Sequence, residues 1–166
     1  MGIAELFGGV ARILRGELKA GPLHSAWVTL IFFYQVQWLW AAWELQSRGT
    51  WAFPDFIVFI LGPIGLFMVA AMLFPRGDHG DRLDVHLLER RRPFFLLLAL
   101  TVASYTVSEW LVVSGRIGGQ DLSRLVVIAL LGVLAVTERK WVHVATVLFL
   151  LGSLLWFTYS FTPRVG

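Results

Sequence analysis

The sequence predicts an all-α protein: a polytopic transmembrane helix bundle of about five spans, with an N-terminal amphipathic interfacial helix. Three observations lead there. The 166-residue chain is 57% hydrophobic and only 15% charged, whereas soluble domains carry roughly 25% charged residues. Its apolar residues gather in runs long enough to cross a bilayer. Its Lys and Arg residues sit almost wholly between those runs. The expected organisation is residues 1–22 as the interfacial helix and 23–166 as one bundle, with spans at 23–45, 53–74, 93–113, 122–137 and 141–161.

Residues Gly2 to Ala20 lack the unbroken apolar core of a signal peptide, because Glu5, Arg12, Arg15, Glu17 and Lys19 are spread through them. Ile3, Leu6, Phe7, Val10, Ile13, Leu14 and Leu18 recur at steps of three and four, which makes one apolar stripe. With Arg12, Arg15 and Lys19 off that stripe, a helix lying on the membrane is expected; a helix docked on another subunit is the alternative. Gly21 and Pro22 end it.

The first span contains the segment FFYQVQWLWAAWEL, Phe32 to Leu45. At about 100° per residue, Tyr34, Gln37, Ala41 and Glu44 share a face and Gln35 points roughly the other way. Amide and carboxyl groups at that depth must meet protein or water. The helix is therefore expected inside a bundle or at a subunit contact.

The second span opens with Pro54 and Asp55, which suit a first helical turn. Midway lies Gly62, Pro63, Ile64, Gly65, where a kink is expected. A packing kink is the favoured reading, and the broken helix of a transporter the other. The polar segment from Pro75 to Arg92 follows; Asp81 and Asp84 suggest a capped surface helix over Arg82 to Arg92. In the third span, Ala99 with Ala103 and Ser104 with Ser108 place small residues four apart on both faces, which permits close contact on each. The fourth span is short and nearly featureless. The tight turn Glu138, Arg139, Lys140 leads to the fifth, which carries His143, Thr146 and Ser153 on one side.

The basic residues orient the chain. With the N-terminus inside, the inner segments hold Arg12, Arg15, Lys19, Arg76, Arg82, Arg90, Arg91, Arg92, Arg139 and Lys140, and the outer ones Arg48, Arg116, Arg124 and Arg164. That asymmetry predicts a multi-pass inner-membrane protein with its C-terminus outside. The net charge of +3 then faces anionic headgroups rather than nucleic acid.

In that orientation the ionisable residues near the spans gather toward the outer side. The expected site is an outward-facing acidic vestibule or ion pathway lined by Tyr34, Gln37, Glu44, Tyr105, Ser108 and Glu109, with Arg116 and Arg124 as charge partners. The plainer alternative is that each glutamate snorkels to the headgroups. His24 and His143 fall at one level, where ordinary hydrogen bonds are expected over a metal or haem. Asp78, His79, Asp81, Asp84 and His86 match no zinc or calcium spacing. Cysteine is absent, which removes disulfides, thiolate metal sites and cysteine nucleophiles; no metal site is expected, and the cofactor is unknown, with none implied.

No His-Glu-x-x-His, Gly-x-Ser-x-Gly, Ser-x-x-Lys or phosphate-loop pattern occurs. The sequence reading is a small homo-oligomeric membrane protein that moves or gates an ion or proton. Its rivals are a non-catalytic accessory subunit of a larger membrane complex and an intramembrane lipid or redox enzyme. The bilayer and further membrane subunits are the expected partners.

Overall fold

A computed structural model describes residues 2–44, 52–75, 82–108, 110–111 and 119–161. Among them are seven helices and no strand: α1 Gly2–Leu14, α2 Pro22–Glu44, α3 Phe53–Leu73, α4 Leu83–Glu89, α5 Arg91–Ser108, α6 Gly119–Val136 and α7 Lys140–Phe161. Among the described residues, each of the five apolar runs lies mainly on one helix. Among the described residues, α3 alone is long and apolar enough to cross a membrane by length and composition, with a mean hydropathy of 2.6 over its most apolar window. α2 has the length, but its glutamines, tyrosine and histidine keep it below that degree of apolarity. The apolar stretches Leu122–Val136 and Lys140–Trp156 are shorter.

The five long helices close a ring. α2 packs on α3, α3 on α5, α5 on α6, α6 on α7, and α7 returns to α2. The α6–α7 contact is the sparsest of these.

Ring contacts set the register at the end where α2 begins. Trp27 packs edge-on against Phe94 and Phe95, and Phe95 in turn against His143, with centroids 5.0 to 5.9 Å apart. These side chains are fully buried. Aromatic pairs of this geometry contribute roughly 0.5–1.5 kcal/mol each beyond their burial. They join α2, α5 and α7 at one level.

α3 runs unbroken through Pro63. The glycines on either side of that proline are explained by close packing. A Cβ on Gly62 would stand 2.7 Å from the Trp38 ring of α2, and one on Gly65 would collide with Thr101 of α5. Small residues here let α3 approach both neighbours.

α1 lies outside the ring, against α3 and α2 of its own chain. Leu6 of its apolar stripe and the nearby Gly9 are buried, and Phe7 meets Phe32 edge-on at 5.9 Å. Its first residue reaches far along α2: a Cβ on Gly2 would stand 2.6 Å from Nε2 of Gln35.

Residues Lys19 and Arg82 form an isolated parallel bridge, in which the Leu83 N–H donates to the Lys19 carbonyl at 3.0 Å. The surface helix is shorter than the expected Arg82 to Arg92. α4 stops at Glu89, and the Arg90 N–H closes on the His86 carbonyl before α5 starts. Asp84 does not cap α4; it serves α2, as described below. Asp81, with residues 76–80, lies outside the described residues.

Candidate functional site

The ring encloses a partly open cavity of about 870 Å³ to which α2, α3, α5, α6 and α7 all contribute. Ligand pockets commonly fall at roughly 300–1,000 Å³. α2 supplies Tyr34, Gln37 and Trp38; α3 supplies Gly62 and Leu66; α5 supplies Leu98, Thr101, Val102 and Tyr105. α6 adds Ser123, Arg124, Val126 and Val127, and α7 the stretch from Leu148 to Leu154 except Leu151, with Trp156. Most of this lining is apolar.

Three of the expected pathway residues, Tyr34, Gln37 and Tyr105, therefore line one cavity, together with Arg124, one of the two expected charge partners. The Arg124 guanidinium lies over the Tyr105 ring, 4.7 Å from its centroid. Such cation–π contacts contribute about 0.5–2 kcal/mol depending on desolvation. Tyr105 also packs edge-on against Trp38, at 5.0 Å, and Trp38 lies 5.0 Å from Phe59. Gln37 donates from Nε2 to the Thr158 hydroxyl at 2.9 Å, tying α2 to α7.

The other expected residues stand apart. Ser108 is buried and is not among the lining residues. Glu109 and Arg116 lie outside the described residues, and so does the side chain of Glu44. Among the described lining residues there is no carboxylate, so the acidic half of the expected vestibule rests on nothing described. Hydroxyls of α5 are turned to their own helix. Thr101 donates to the Leu97 carbonyl at 2.8 Å, Ser104 to Thr101 at 2.8 Å and Thr106 to Val102 at 3.1 Å, a local pattern that satisfies the hydroxyl without a partner helix.

Gln35 takes the opposite direction from Gln37. Its side chain is buried between α1 and α3, with Nε2 3.5 Å from the Leu66 carbonyl and no partner for Oε1. Polar groups on two sides of α2 had suggested a neighbouring protomer. Both sides are met within one chain, by α1 and α3 for Gln35 and by α7 for Gln37.

Each of the two histidines bonds to a backbone carbonyl through Nε2, and each keeps a buried Nδ1 without a hydrogen-bond partner among the described residues. His24 Nε2 bonds to the Leu73 carbonyl at 2.9 Å and His143 Nε2 to the Thr137 carbonyl at 3.0 Å. The Trp27, Phe95 and His143 rings fill the level the histidines share. Among the described residues no three His, Asp or Glu side chains gather as a metal would require.

Sequence reasoning missed Trp38, Ser123, Ser153 and Trp156 as lining residues. Trp38 follows Tyr34 by four positions, one helical turn, so its presence on the Tyr34 face was available from spacing alone. Ser153 shares one side of its helix with His143 and Thr146 by spacing, whereas Ser123 carries no such signal.

Comparison with protein-family models, with curated proteins and with solved structures finds no match to this chain. The functional reading therefore rests on the geometry above.

Proposed function

We propose that the chain is a five-span inner-membrane protein, N-terminus inside and C-terminus outside, whose ring holds an organic amphipathic molecule. The observation that carries this is the cavity lining. Some 870 Å³ walled mainly by Leu, Val, Phe and Trp, with Tyr34, Gln37, Tyr105 and Arg124 grouped among them, suits an organic ligand better than a hydrated ion. An ion path needs a polar wall, and this wall is apolar over most of its extent.

The route in supports the same reading. α6 packs chiefly on α5 and only sparsely on α7, and Leu131, Leu134, Ala135 and Val147, nearer the turn 137–139, are buried. Further from the turn, the lining residues Val126, Phe149 and Trp156 are 48%, 56% and 69% exposed. The cavity thus opens sideways between α6 and α7, toward where acyl chains would lie.

Reconstitution with a doxyl-labelled long-chain alcohol tests the proposal. A motionally restricted population that saturates at about one probe per chain and resists dilution with unlabelled lipid is expected. Protein that restricts no probe beyond the exchanging lipid layer, yet leaks ions from liposomes, would return the cavity to the ion-pathway reading.

A further inference from the structure

Two hydroxyls in the cavity wall stand without a partner among the described residues. Tyr34 of α2 and Ser153 of α7 both line the cavity, and neither takes part in a hydrogen bond there. Their neighbours in the wall are engaged: Thr101 donates to the Leu97 carbonyl and Gln37 to the Thr158 hydroxyl. Thr29, Thr106 and Thr158 likewise turn their hydroxyls back to their own helices. A tyrosine cannot make that short back-bond, because its oxygen sits beyond the ring, and Ser153 does not make it.

The two hydroxyl-bearing residues lie at nearly one depth. Trp27, Phe95 and His143 align α2 with α7 near one end, and the bond from Gln37 to Thr158 aligns them further along, so the two helices run the same way. Tyr34 stands three residues before Gln37, and Ser153 five before Thr158. At 1.5 Å per residue their positions differ by about 3 Å along the ring axis. The surroundings at this depth are apolar: Gly62 meets Trp38, which puts Leu66, another lining residue, one turn along α3 at the level of Tyr34.

A hydroxyl among apolar side chains costs free energy until it meets an acceptor. Tyrosine and serine each bring a donor, and a carbonyl oxygen has two lone pairs and no hydrogen of its own to satisfy. Resting on the ligand-chamber reading, we infer that the occupant is a neutral, largely apolar molecule with a carbonyl group, an ester or a quinone, held by the Tyr34 and Ser153 hydroxyls. An ionised group at this depth would need a countercharge, which neither residue provides.

The test uses the full chain in detergent and three probes of matched chain length: an alkyl benzoquinone, a fatty-acid methyl ester and an alkylbenzene, which has no carbonyl. Tyr34→Phe and Ser153→Ala should each weaken binding of the quinone, the ester or both by about two- to tenfold, the margin of one neutral hydrogen bond. Alkylbenzene binding should stay unchanged in both variants, which separates a lost hydrogen bond from a disturbed fold. Whichever carbonyl probe loses more identifies the source of the carbonyl. Infrared spectra of the carbon-13 carbonyl probes give a second readout. The bound band should lie below its position in alkane solvent and return toward it in the double variant. Saturable binding that neither substitution changes, equal losses for the alkylbenzene, or a bound carbonyl band at its alkane position would overturn the inference while leaving the chamber intact. Saturable binding of no probe would remove both.

Discussion

Gly62 and Trp38 face each other so closely that a methyl group on the glycine would stand 2.7 Å from the indole ring. Trp38 is only 8% exposed and is wedged between α3, Phe59 and Tyr105. The bare backbone of α3 therefore lets a tryptophan serve as cavity wall without filling the cavity. Gly62→Ala should push the ring toward Tyr105, destabilise the protein by about 1–3 kcal/mol as overpacked cores do, and weaken ligand binding. Thermal unfolding in detergent beside probe affinity checks both effects. An unchanged melting temperature and affinity would show that the ring has room to move.

A second prediction concerns the start of α2. Gly21 occupies the N-cap position, since its carbonyl accepts the Ser25 N–H at 3.0 Å, yet it has no side chain with which to cap. Asp84 supplies the missing oxygen from another segment, accepting the His24 N–H at 2.8 Å. Its carboxylate fills the space a Cβ on Gly21 would need. A negative group here also suits the positive end of the helix dipole. Asp84→Ala should cost about 1 kcal/mol, and Gly21→Ala should be at least as damaging. The double variant should be less than additive, because both changes break one contact. Strict additivity in unfolding measurements would show the two residues act separately.

Gln35 leads to the opposite sign. Its Oε1 is buried without a partner and its Nε2 bond is long, at 3.5 Å. Removing a poorly satisfied buried amide for an apolar side chain of similar length can be neutral or stabilising. Gln35→Met should leave stability unchanged or raise it. Gln37→Met should lower it by about 0.5–1.5 kcal/mol, because the bond to Thr158 is lost. Strong destabilisation by Gln35→Met would point to a polar partner that the amide serves.

The turn between α1 and α2 carries a pH dependence. Arg15, at 2.5 Å, and Arg12, at 3.4 Å, hold the Glu17 carboxyl below the ordinary carboxylate range, chiefly through the hydrogen bond from Arg15. A depressed folded pKa means that the contribution is present above the unfolded value and is lost as pH falls through the folded one. Exposed pairs contribute little, so α1 docking should loosen only slightly below about pH 4. Hydrogen exchange of α1 amides at neutral and acid pH would check this, and Glu17→Gln should abolish the difference.

Topology is open to a clean experiment because the chain has no cysteine. Ala52 and Arg90 are exposed at the starts of α3 and α5. Ala52→Cys should react with an impermeant thiol reagent on intact cells, and Arg90→Cys only after the membrane is opened. The reverse pattern would invert the orientation.

Much of the helical layout was legible because apolar runs and punctuation are local. Pro22, Pro54 and the Glu138–Lys140 turn mark helix ends in the sequence itself, whereas α1 stops at Leu14, short of the expected Gly21–Pro22 boundary, with Gly16 at a φ of 76° just beyond it, and α5 begins at Arg91, ahead of Pro93. The 100° step also separates Gln35 from Gln37, and the two do go opposite ways. What they meet could not be read locally. The expectation of a second protomer overlooked that α1 folds back along α2 as far as Gln35, a contact that depends on Gly2 being small. Asp84 looked like the acidic third position behind an Asp81 cap on its own helix, because a capping pattern says nothing of a helix start 60 residues away in sequence. The cavity was half visible: its α2, α5 and α6 polar residues were picked out for charge and polarity, whereas its apolar majority resembles any lipid-facing or core position.

The central claim is that the ring of α2, α3, α5, α6 and α7 holds an organic molecule, and Gly152 gives direct access to it. Gly152 lines the cavity, and a Cβ there meets nothing within 4 Å, so Gly152→Phe should fill the space without disturbing the backbone. Native mass spectrometry of parent and variant, purified alike, should find an amphiphile retained by the parent and lost from a variant of equal melting temperature. Equal retention by both proteins would contradict the account.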